Sequence, residues 1–579
     1  MNKSLIFIVS AVTAGSITAN AQSVGSALAV TQNDLNGTAR FMSMAGAFGA
    51  LGGDLSSLSQ NPAGIGVYRT SEVGISVGID HFSSSAKAGG QDHQVGNTRF
   101  NLKNIGGVYT LKLPSQVLPN LNIGFTYNKA ADFHRRYKGV IPNLGTSFSN
   151  YVAGIANSYG LTEEDVTSSD RYNPSNGATV PWLAILGYDG YLANPDVIGN
   201  QTHWYGQFGQ GTSGVGLFDV SEKGTLDSYN IALGTNISNV VFLGIDFDIT
   251  SLDYRMSSTY GESLNNAYVY NPDIKRVEKM NSDFDFHDLY RASGTGFNFK
   301  MGVIVKPIQE LRLGFSFQTP TYYNLSETYS DNYLWFDYPF ITEQEKLKGA
   351  NVVYPDDNYP AGNTYSFRTP WRLTASAAGV IANRVIISAD YEWSSYRTMK
   401  YGESYNDDYY YDPWYDWDYP WGDWGWGYYS KRKSNAMQGS PRASYNDHYS
   451  YVNSVMRKVT RNTNTIRIGA EVRVGAGFSV RAGYSYSSSP VSSQAKAKRV
   501  DVPGTGLMSS YTLDNETSYI TCGVGYRYRG FYADLAYIYK HQSSEYLPFS
   551  PDIENPHLSP SAKLDFDKNT VALSVGYKF

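Results

Sequence analysis

The chain has 579 residues and a formal net charge of −5, and charged residues make up only 17% of it, against about 25% in ordinary soluble domains. Aromatic residues reach 15%, yet the mean hydropathy of −0.37 argues against a bundle of membrane helices. The acidic balance leaves no basic footprint for nucleic acid, and the single Cys522 excludes an internal disulfide framework. This composition is typical of a β-rich chain at a lipid interface.

The first 21 residues have the pattern of a secretory signal peptide. Lys3 supplies a positive start, residues 5–14 are apolar, and Ala19-Asn20-Ala21 offers a cleavage site with small residues. The apolar stretch is too short to span a bilayer. We therefore expect an exported protein, and its location is predicted to be the bacterial outer membrane.

Residues 22–71 are rich in Gly, Ala and Ser and show no sustained alternation of apolar and polar residues. Small residues allow close packing, which suits a hatch (a plug) folded inside a barrel lumen. The other interpretation is a disordered export tail. Apolar side chains such as Phe41, Met44 and Phe48 are costly to leave in water, so we favour the hatch.

From residue 72 onward the chain alternates apolar and polar residues with a period of two. In residues 569–579, Val571, Leu573 and Val575 share one strand face, and small or polar residues occupy the other. Fourteen segments of this kind are predicted strands: 72–80, 104–113, 121–129, 228–237, 240–250, 296–305, 311–318, 371–381, 384–393, 464–474, 477–487, 519–529, 530–540 and 569–579.

The links between these strands alternate between short and long. Strict alternation is expected of periplasmic turns and extracellular loops, and an even strand number is the rule for single-chain bacterial barrels. We therefore predict an all-β fold, a fourteen-stranded antiparallel transmembrane β-barrel (72–579) with long extracellular loops and the hatch (22–71) inside its lumen. One long link holds a segment rich in aromatic residues and Asp (405–429), which either binds a surface ligand or packs on itself.

Several segments resemble the FadL/TodX family of outer-membrane transporters for long-chain fatty acids and other hydrophobic compounds. The most specific are Asn61-Pro62-Ala63-Gly64, just before the first strand, and RAGYSYSSSP (481–490). Further similar segments are 310–327, 384–393 and 519–537, and the terminal Phe579 matches the signature read by the barrel assembly machinery. The resemblance implies a hatch that closes the lumen, an external apolar capture groove, and exit of the ligand through an opening in the wall.

Two sets of candidate functional residues follow. Apolar clusters in the long links are expected to be exposed and to capture ligand, since exposed apolar patches mark binding sites; they comprise Trp182, Leu183, Leu186, Leu334, Trp335 and Phe336. The hatch and gating candidates are Phe41, Met44, Phe48, Asn61, Pro62 and Gly64. Asn61 either latches the hatch to the wall and gates passage, or only ends the hatch in a turn.

The lumen face carries charges of both signs, including Arg467, Glu471, Arg481 and Asp534. These are interpreted as paired ladders that stiffen the wall, and the alternative is that one unpaired Arg binds a ligand carboxylate. Residues 283–288 hold three Asp and one His and are interpreted as a solvated loop rather than a metal site. No Ser/His/Asp set stands at one strand end, so we expect no enzyme activity, no cofactor and no metal.

The predicted function is passive uptake of hydrophobic small molecules, such as long-chain fatty acids or aromatic hydrocarbons, across the outer membrane. The alternative is a structural or adhesion barrel that binds a surface partner through aromatic loops. Expected partners are the hydrophobic ligand, outer-membrane lipid and lipopolysaccharide, and the assembly machinery that reads Phe579; we expect a monomer that binds no nucleic acid.

Overall fold

The computed structural model describes residues 24–169, 171–172, 180–198, 201–352, 361–382, 384–404, 442–475, 477–502 and 507–579. The predicted signal peptide (1–21) and the aromatic segment 405–429 lie outside these residues, so the predictions for them stay predictions. Within the described ranges, no helix is both long and apolar enough to cross a membrane.

Strands dominate the described chain. They are β1 (Glu72–Ala88), β2 (Gln91–Lys112), β3 (Asn120–Asp132), β4 (Arg135–Ile141), β5 (Asn194–Ile198), β6 (Gln201–Tyr205), β7 (Ser213–Ile237), β8 (Val241–Asn271), β9 (Arg276–Val305), β10 (Leu311–Gln318), β11 (Tyr322–Asp337), β12 (Ala350–Asn351), β13 (Ala361–Arg368), β14 (Arg372–Ile381), β15 (Val385–Ser394), β16 (Lys400–Glu403), β17 (Thr463–Gly475), β18 (Phe478–Ser487), β19 (Tyr511–Tyr528), β20 (Phe531–Leu547) and β21 (Ala562–Lys578).

The described helices are not part of the wall, and all except the 18-residue α7 are short. The α-helices are α1 (Val24–Val30), α2 (Ala39–Ser43), α3 (Phe148–Ser158), α4 (Glu163–Thr167), α5 (Trp182–Asp189), α6 (Glu343–Lys348), α7 (Arg442–Val459) and α8 (Ser493–Lys496). Short 3-10 helices span Leu55–Ser59, Pro62–Val67, Tyr396–Thr398 and Pro556–Leu558.

The sheet closes on itself, because β21 pairs antiparallel with β1 from Glu72↔Lys578 to Lys87↔Lys563. Four wall positions consist of two strands in line: β3 with β4, β10 with β11, β13 with β14, and β15 with β16. Counted this way, fourteen positions surround the lumen, and every neighbouring pair is antiparallel. The predicted fourteen-stranded barrel is confirmed, and each predicted strand falls on a described one.

A belt of apolar side chains surrounds the outside of the barrel. Ile231, Ile249, Ile468 and Val571 are each 47–48% exposed, whereas inward neighbours such as Asn230 are buried. The side chains alternate between the two faces because successive residues of a strand point in opposite directions. An apolar outer band over a polar interior is the surface that a barrel presents to lipid.

Residues 251–295 separate two predicted strands and are therefore expected to form a long loop. This prediction is wrong, because β8 and β9 continue as one paired hairpin far beyond the belt. They are 31 and 30 residues long, and their pairing runs from Val241↔Val305 to Asn271↔Arg276. Beyond the belt the outward side chains become charged, as at Asp253 and Arg255, while the backbone pairing persists. The strands are predicted from the alternation of apolar and polar residues, and this alternation ends where the outward side chains no longer face lipid.

The described residues between 142 and 211 form a cap over the outer end of the barrel, built from α3, α4, α5 and the paired strands β5 and β6. The ring of Phe148 in α3 stacks on Phe286 of β9 with centroids 5.5 Å apart, and it also contacts Phe549 at 5.9 Å. These rings belong to a large buried apolar cluster that joins the cap to the extended strands. The cap is therefore held by aromatic packing.

Candidate functional site

The N-terminal segment (residues 24–71) packs inside the barrel against lumen-facing residues. The Gly49 N–H donates to Asp390 Oδ2 at 3.0 Å, and Thr521 Oγ1 donates to the Ser43 carbonyl at 2.9 Å. The backbone of Met44 lies against Gly469 and Gly483, where added Cβ atoms would approach it to 2.6 and 2.5 Å. Glycine at these two wall positions permits the close approach.

Three of the candidate hatch residues form the apolar part of this contact. Phe41 is 7% exposed, while Met44 and Phe48 are fully buried. They pack in one cluster with wall residues that include Ile386 and Ile538. Their side chains are removed from water as the sequence predicts, and their role in gating stays a prediction.

Buried charges connect the N-terminal segment to the wall. Glu471 Oε2 accepts from Arg40 Nε at 2.9 Å and from Arg481 Nε at 2.7 Å, and Arg481 also pairs with Asp534 at 2.6 Å. Arg467 pairs with Glu392 at 2.9 Å. These pairs fit the ladder interpretation, with one addition that the wall pattern did not contain: Arg40 of the segment takes part.

Asn61 makes bonds that serve both of its predicted roles. Its Oδ1 accepts from the Ala63 N–H at 3.1 Å, which caps the 3-10 helix Pro62–Val67, with Pro62 at its start. Its Nδ2 donates to the Gly49 carbonyl at 2.6 Å and reaches the wall carbonyl of Val303 only at 3.5 Å. The stronger bonds lie within the segment, so the geometry favours a turn residue.

The two glycines after Pro62 do different things. A Cβ at Gly64 would lie 2.7 Å from Ser57 Oγ, so this residue packs against the segment itself. A Cβ at Gly66 would lie 2.4 Å from the wall carbonyl of Thr235, so Gly66 permits the close approach to the wall.

Asp34 ties the start of the segment to the wall. Its N–H donates to the Ala130 carbonyl at 2.8 Å, and its carboxylate pairs with Lys540 at 2.6 Å and Lys568 at 3.2 Å. Burial raises the pKa of Asp34, but the two ammonium groups outweigh it and hold that pKa well below its usual range. Sequence reasoning missed this tether, because nothing local marks a pair separated by some 500 residues.

The wall is breached beside this tether. The pairing of β2 with β3 ends at Asn104↔Asn128, while β2 continues to Gln91 with pairing to β1 alone. The wall position formed by β3 and β4 turns inward at β4. There the Arg136 carbonyl accepts a hydrogen bond from the Ser84 hydroxyl of β1. Phe100, on the part of β2 that does not pair with β3, is 69% exposed. The hydrogen-bonded wall is therefore interrupted between β2 and β3 at the outer part of the belt.

A small cavity of about 50 Å³, partly open to solvent, lies at this breach. Its lining combines lumen residues with exposed residues of the β2 edge: Gln32, Asp34, Phe82, Ser83, Ser84, Val95, Gly96, Asn97, Asp132, Phe133, Arg135, Arg136, Lys540, Gln542, Phe566, Asp567 and Lys568. The lining runs from Asp34 of the N-terminal segment to Gly96 and Asn97, which are exposed on β2.

The expected exposure of the loop clusters is wrong. Leu183, Leu186, Leu334 and Phe336 are all at most 5% exposed, and Trp182 and Trp335 are only partly exposed. They lie where α5 meets β11 in the large apolar cluster, and the ring of Phe336 packs edge-on against Tyr191. The cap and the extended strands cover side chains that the sequence placed in open loops. Their capture of ligand stays a prediction.

Residues 283–288 lie on β9, not in a solvated loop. Alternation sends Asp283, Asp285 and His287 to one face and buries Asp288 on the other, at 2% exposure. Among the described residues, no three His, Cys, Asp or Glu side chains are grouped so that they could hold a metal ion. Burial raises the pKa of Asp288, which lies in the extension beyond the belt, to about 7.

Glu262, in the same extension of β8, anchors the cap. Its carboxylate accepts from the Ser147 hydroxyl, from the Phe148 N–H at 2.8 Å and from the Tyr260 hydroxyl at 2.9 Å. It therefore stands at the N-terminus of α3, where negative charge is favoured. Burial nevertheless raises the pKa of Glu262 to about 7.

The protein is thus a β-barrel that is closed by the pairing of β1 with β21. Its lumen holds an N-terminal segment, and its wall is interrupted between β2 and β3. A FadL homologue from Pseudomonas aeruginosa is similar over 95% of this chain and 99% of its own, at 12% identity and a TM-score of 0.48. The toluene transporter TodX from P. putida is similar over 94% of this chain and 99% of its own, at 11% identity and a TM-score of 0.41. The toluene transporter TbuX from Ralstonia pickettii is similar over 94% of this chain and 98% of its own, at 13% identity and a TM-score of 0.40. No family model and no curated protein matches the sequence.

Proposed function

We propose that this protein is a passive outer-membrane channel for hydrophobic small molecules, which leave it sideways through the breach. The observation that carries the proposal is the end of the pairing between β2 and β3 at Asn104↔Asn128, with a small cavity beside it that is lined by residues of the N-terminal segment and of β2. A wall opening at the level of the apolar belt delivers an apolar molecule into lipid without a passage through water.

The interior below the cavity supports the sideways route. A molecule moving straight down the lumen meets the N-terminal segment, held by Arg40–Glu471, by Asp34–Lys540 and by the apolar packing of Phe48. Separating buried ion pairs leaves charges without partners, which costs several kcal/mol. The breach offers an exit that separates none of the pairs formed by Arg40.

The segments that resemble FadL/TodX transporters add support for the substrate class. They include the Asn-Pro-Ala-Gly element at the end of the N-terminal segment. We propose long-chain fatty acids or aromatic hydrocarbons as the substrates, carried without energy coupling and without catalysis.

Gly96 provides a direct test, because it is exposed at the β2 edge and lines the cavity. A Cβ there would meet its nearest neighbour at 3.4 Å, which is ordinary contact, and would lie beside the exposed His81, so Gly96→Trp should fold and place an indole at the outer mouth of the cavity. Gly379→Trp is the matched control, since a Cβ at that wall position meets nothing within 4 Å.

Uptake of labelled oleate and labelled toluene is measured in deletion cells that carry each variant at equal surface abundance. The proposal expects wild-type and Gly379→Trp cells to take up one of the compounds faster than deletion cells, and Gly96→Trp cells to match the deletion. Equal uptake by wild-type and deletion cells would refute the transport function for these substrates. Full uptake through Gly96→Trp would refute the route.

A further inference from the structure

A row of three cations crosses the outer face of the barrel just beyond the apolar belt. Lys223 of β7 lies directly opposite Arg255 of β8, and Arg255 lies directly opposite Arg291 of β9. All three side chains are exposed. On each strand the residue is the third outward position beyond the apolar belt, whose outermost residue there is Tyr229, Ile249 or Phe297 respectively.

Like charges at directly opposite positions destabilise a sheet, because the Cβ atoms are only about 5 Å apart. The row has one carboxylate to offset it. Asp253 Oδ2 pairs with Arg255 at 3.2 Å and its Oδ1 pairs with Arg291 at 3.2 Å. Among the described residues, no carboxylate stands within ion-pair distance of Lys223 in the structure. The row therefore holds an excess of positive charge on a chain whose net charge is −5.

The wall near the breach differs at a comparable height. There the third outward position after Val571 is Asp565, and it pairs with Lys87 of β1 at 2.8 Å. The next outward carboxylate, Asp567, accepts from His541 at 2.9 Å and from Tyr539 at 2.6 Å. Opposite charges thus offset each other on β1, β20 and β21, whereas β7, β8 and β9 present cations side by side.

The height of the row selects its occupant. Six residues along a strand span about 20 Å, and a tilt of about 40° converts this to about 15 Å along the membrane normal. Phospholipid headgroups extend only about 5–8 Å beyond the hydrocarbon. A row at about 15 Å lies above them, at a level that a phosphorylated sugar headgroup reaches.

We propose that Lys223, Arg255 and Arg291 form a binding site for the phosphate groups of lipopolysaccharide. Guanidinium groups present fixed pairs of donors that match phosphate oxygens, and a lysine adds a point charge. A bound phosphate relieves the repulsion between the three cations and leaves the Asp253 pairs in place. The site rests on the outer-membrane location and not on the transport route, so each can fail alone.

The test uses the full-length barrel purified in neutral detergent and stripped of bound lipid. The probes are rough-type lipopolysaccharide with a phosphorylated inner core, the same material after removal of its phosphates, and phosphatidylglycerol. Titrations follow intrinsic fluorescence at low salt with chelator present, so that divalent ions do not bridge carboxylates to the probe.

The variant is Lys223→Gln with Arg255→Gln and Arg291→Gln, and Lys87→Gln is the control from the paired side of the wall. At about 1 kcal/mol for each cation near an anionic surface, affinity for the phosphorylated probe should fall about fivefold per cation and about a hundredfold for all three. The control should keep wild-type affinity. Asp253→Asn should bind more tightly, because it removes the one opposing carboxylate.

The triple variant should be no less stable than wild type without lipid, since it removes repulsion and buries nothing. If it does not fold, Arg255→Gln alone carries the test, with a fivefold loss expected. Equal affinity of wild type and variant for phosphorylated probe contradicts the site, as does equal loss in Lys87→Gln. Displacement of the probe by millimolar inorganic phosphate, or equal binding of phosphatidylglycerol, also contradicts it, because the site would then serve a simple anion.

Discussion

Inside the membrane-spanning part of the barrel the N-terminal segment is held by buried ion pairs in addition to apolar packing, whereas the cap above is held by aromatic packing and by the hydrogen bonds of Glu262. Arg40 and Arg481 share Glu471 below, while Phe148 stacks on Phe286 above. Apolar packing yields to an apolar ligand at little cost, since one apolar contact replaces another. Buried ion pairs do not yield in this way. Under the proposed function, a hydrophobic molecule enters through the cap and is stopped by the N-terminal segment.

The largest change comes from removing the lower closure altogether. Deletion of residues 22–71 should leave a folded barrel, because the wall closes through β1 and β21 without the N-terminal segment. We expect a large rise in nonspecific conductance in planar bilayers, with normal heat-modifiable mobility on gels as the folding control. A deleted barrel that stays closed would show that the segment does not plug the lumen.

The next largest effect is expected from removing one buried cation, Arg481, from the contact between the N-terminal segment and the wall. Arg481→Met removes the cation that pairs with buried Asp534 and leaves Glu471 with Arg40 and the half-exposed Arg473, so the free energy of unfolding should fall by about 3–5 kcal/mol. Arg473→Met is the matched control, because this arginine of the same wall is about half exposed and should cost under about 1 kcal/mol. Urea unfolding of the refolded barrel measures both, and equal losses would contradict the assignment.

Asn61→Ala should have a smaller effect. The variant loses the bond to the Gly49 carbonyl and the cap on the Ala63 N–H, at a cost of about 1–3 kcal/mol to the packing of the segment. We expect more frequent leak events in single-channel recordings but wild-type uptake of hydrophobic substrate at equal surface abundance. A changed uptake rate would instead make Asn61 the gating latch.

The smallest expected effect is a pH dependence of the cap. The pKa of Glu262 in the folded protein is about 7, above its ordinary value of 4.5. The proton-linked stabilisation is therefore complete below about pH 4.5 and is lost as the pH rises through about 7. Protection factors for the amides of α3, which correct for the base-catalysed intrinsic rate of exchange, should be lower at pH 8.5 than at pH 5.

Glu262→Gln should reduce that dependence. Asp288, whose pKa is also raised to about 7, has the same sign and should account for the remainder. An identical pH dependence in wild type and Glu262→Gln would contradict the role of Glu262 as the titrating anchor.

The wall could be predicted from the sequence because lipid imposes a strict period on every strand, as at Val571, Leu573 and Val575. The burial of Phe41 and Phe48 also follows from local composition. The tether between Asp34 and Lys540 could not, because residues this far apart meet only after the barrel closes. The fate of Leu334 and Phe336 was mistaken for a related reason: their exposure depends on the cap, whose position no local pattern encodes.

The claim that substrates leave through the breach while the N-terminal segment stays in place has one direct test. A Cβ at Gly49 would lie 2.9 Å from the Ser376 Cβ of β14, and its nearest neighbours are side-chain atoms, so a small shift allows a disulfide between Gly49→Cys and Ser376→Cys in a Cys522→Ser background. Uptake of the transported substrate is compared with this lock oxidised and reduced. We predict equal uptake in both states. Uptake that stops on oxidation and returns on reduction would contradict the account, because the segment would then have to move.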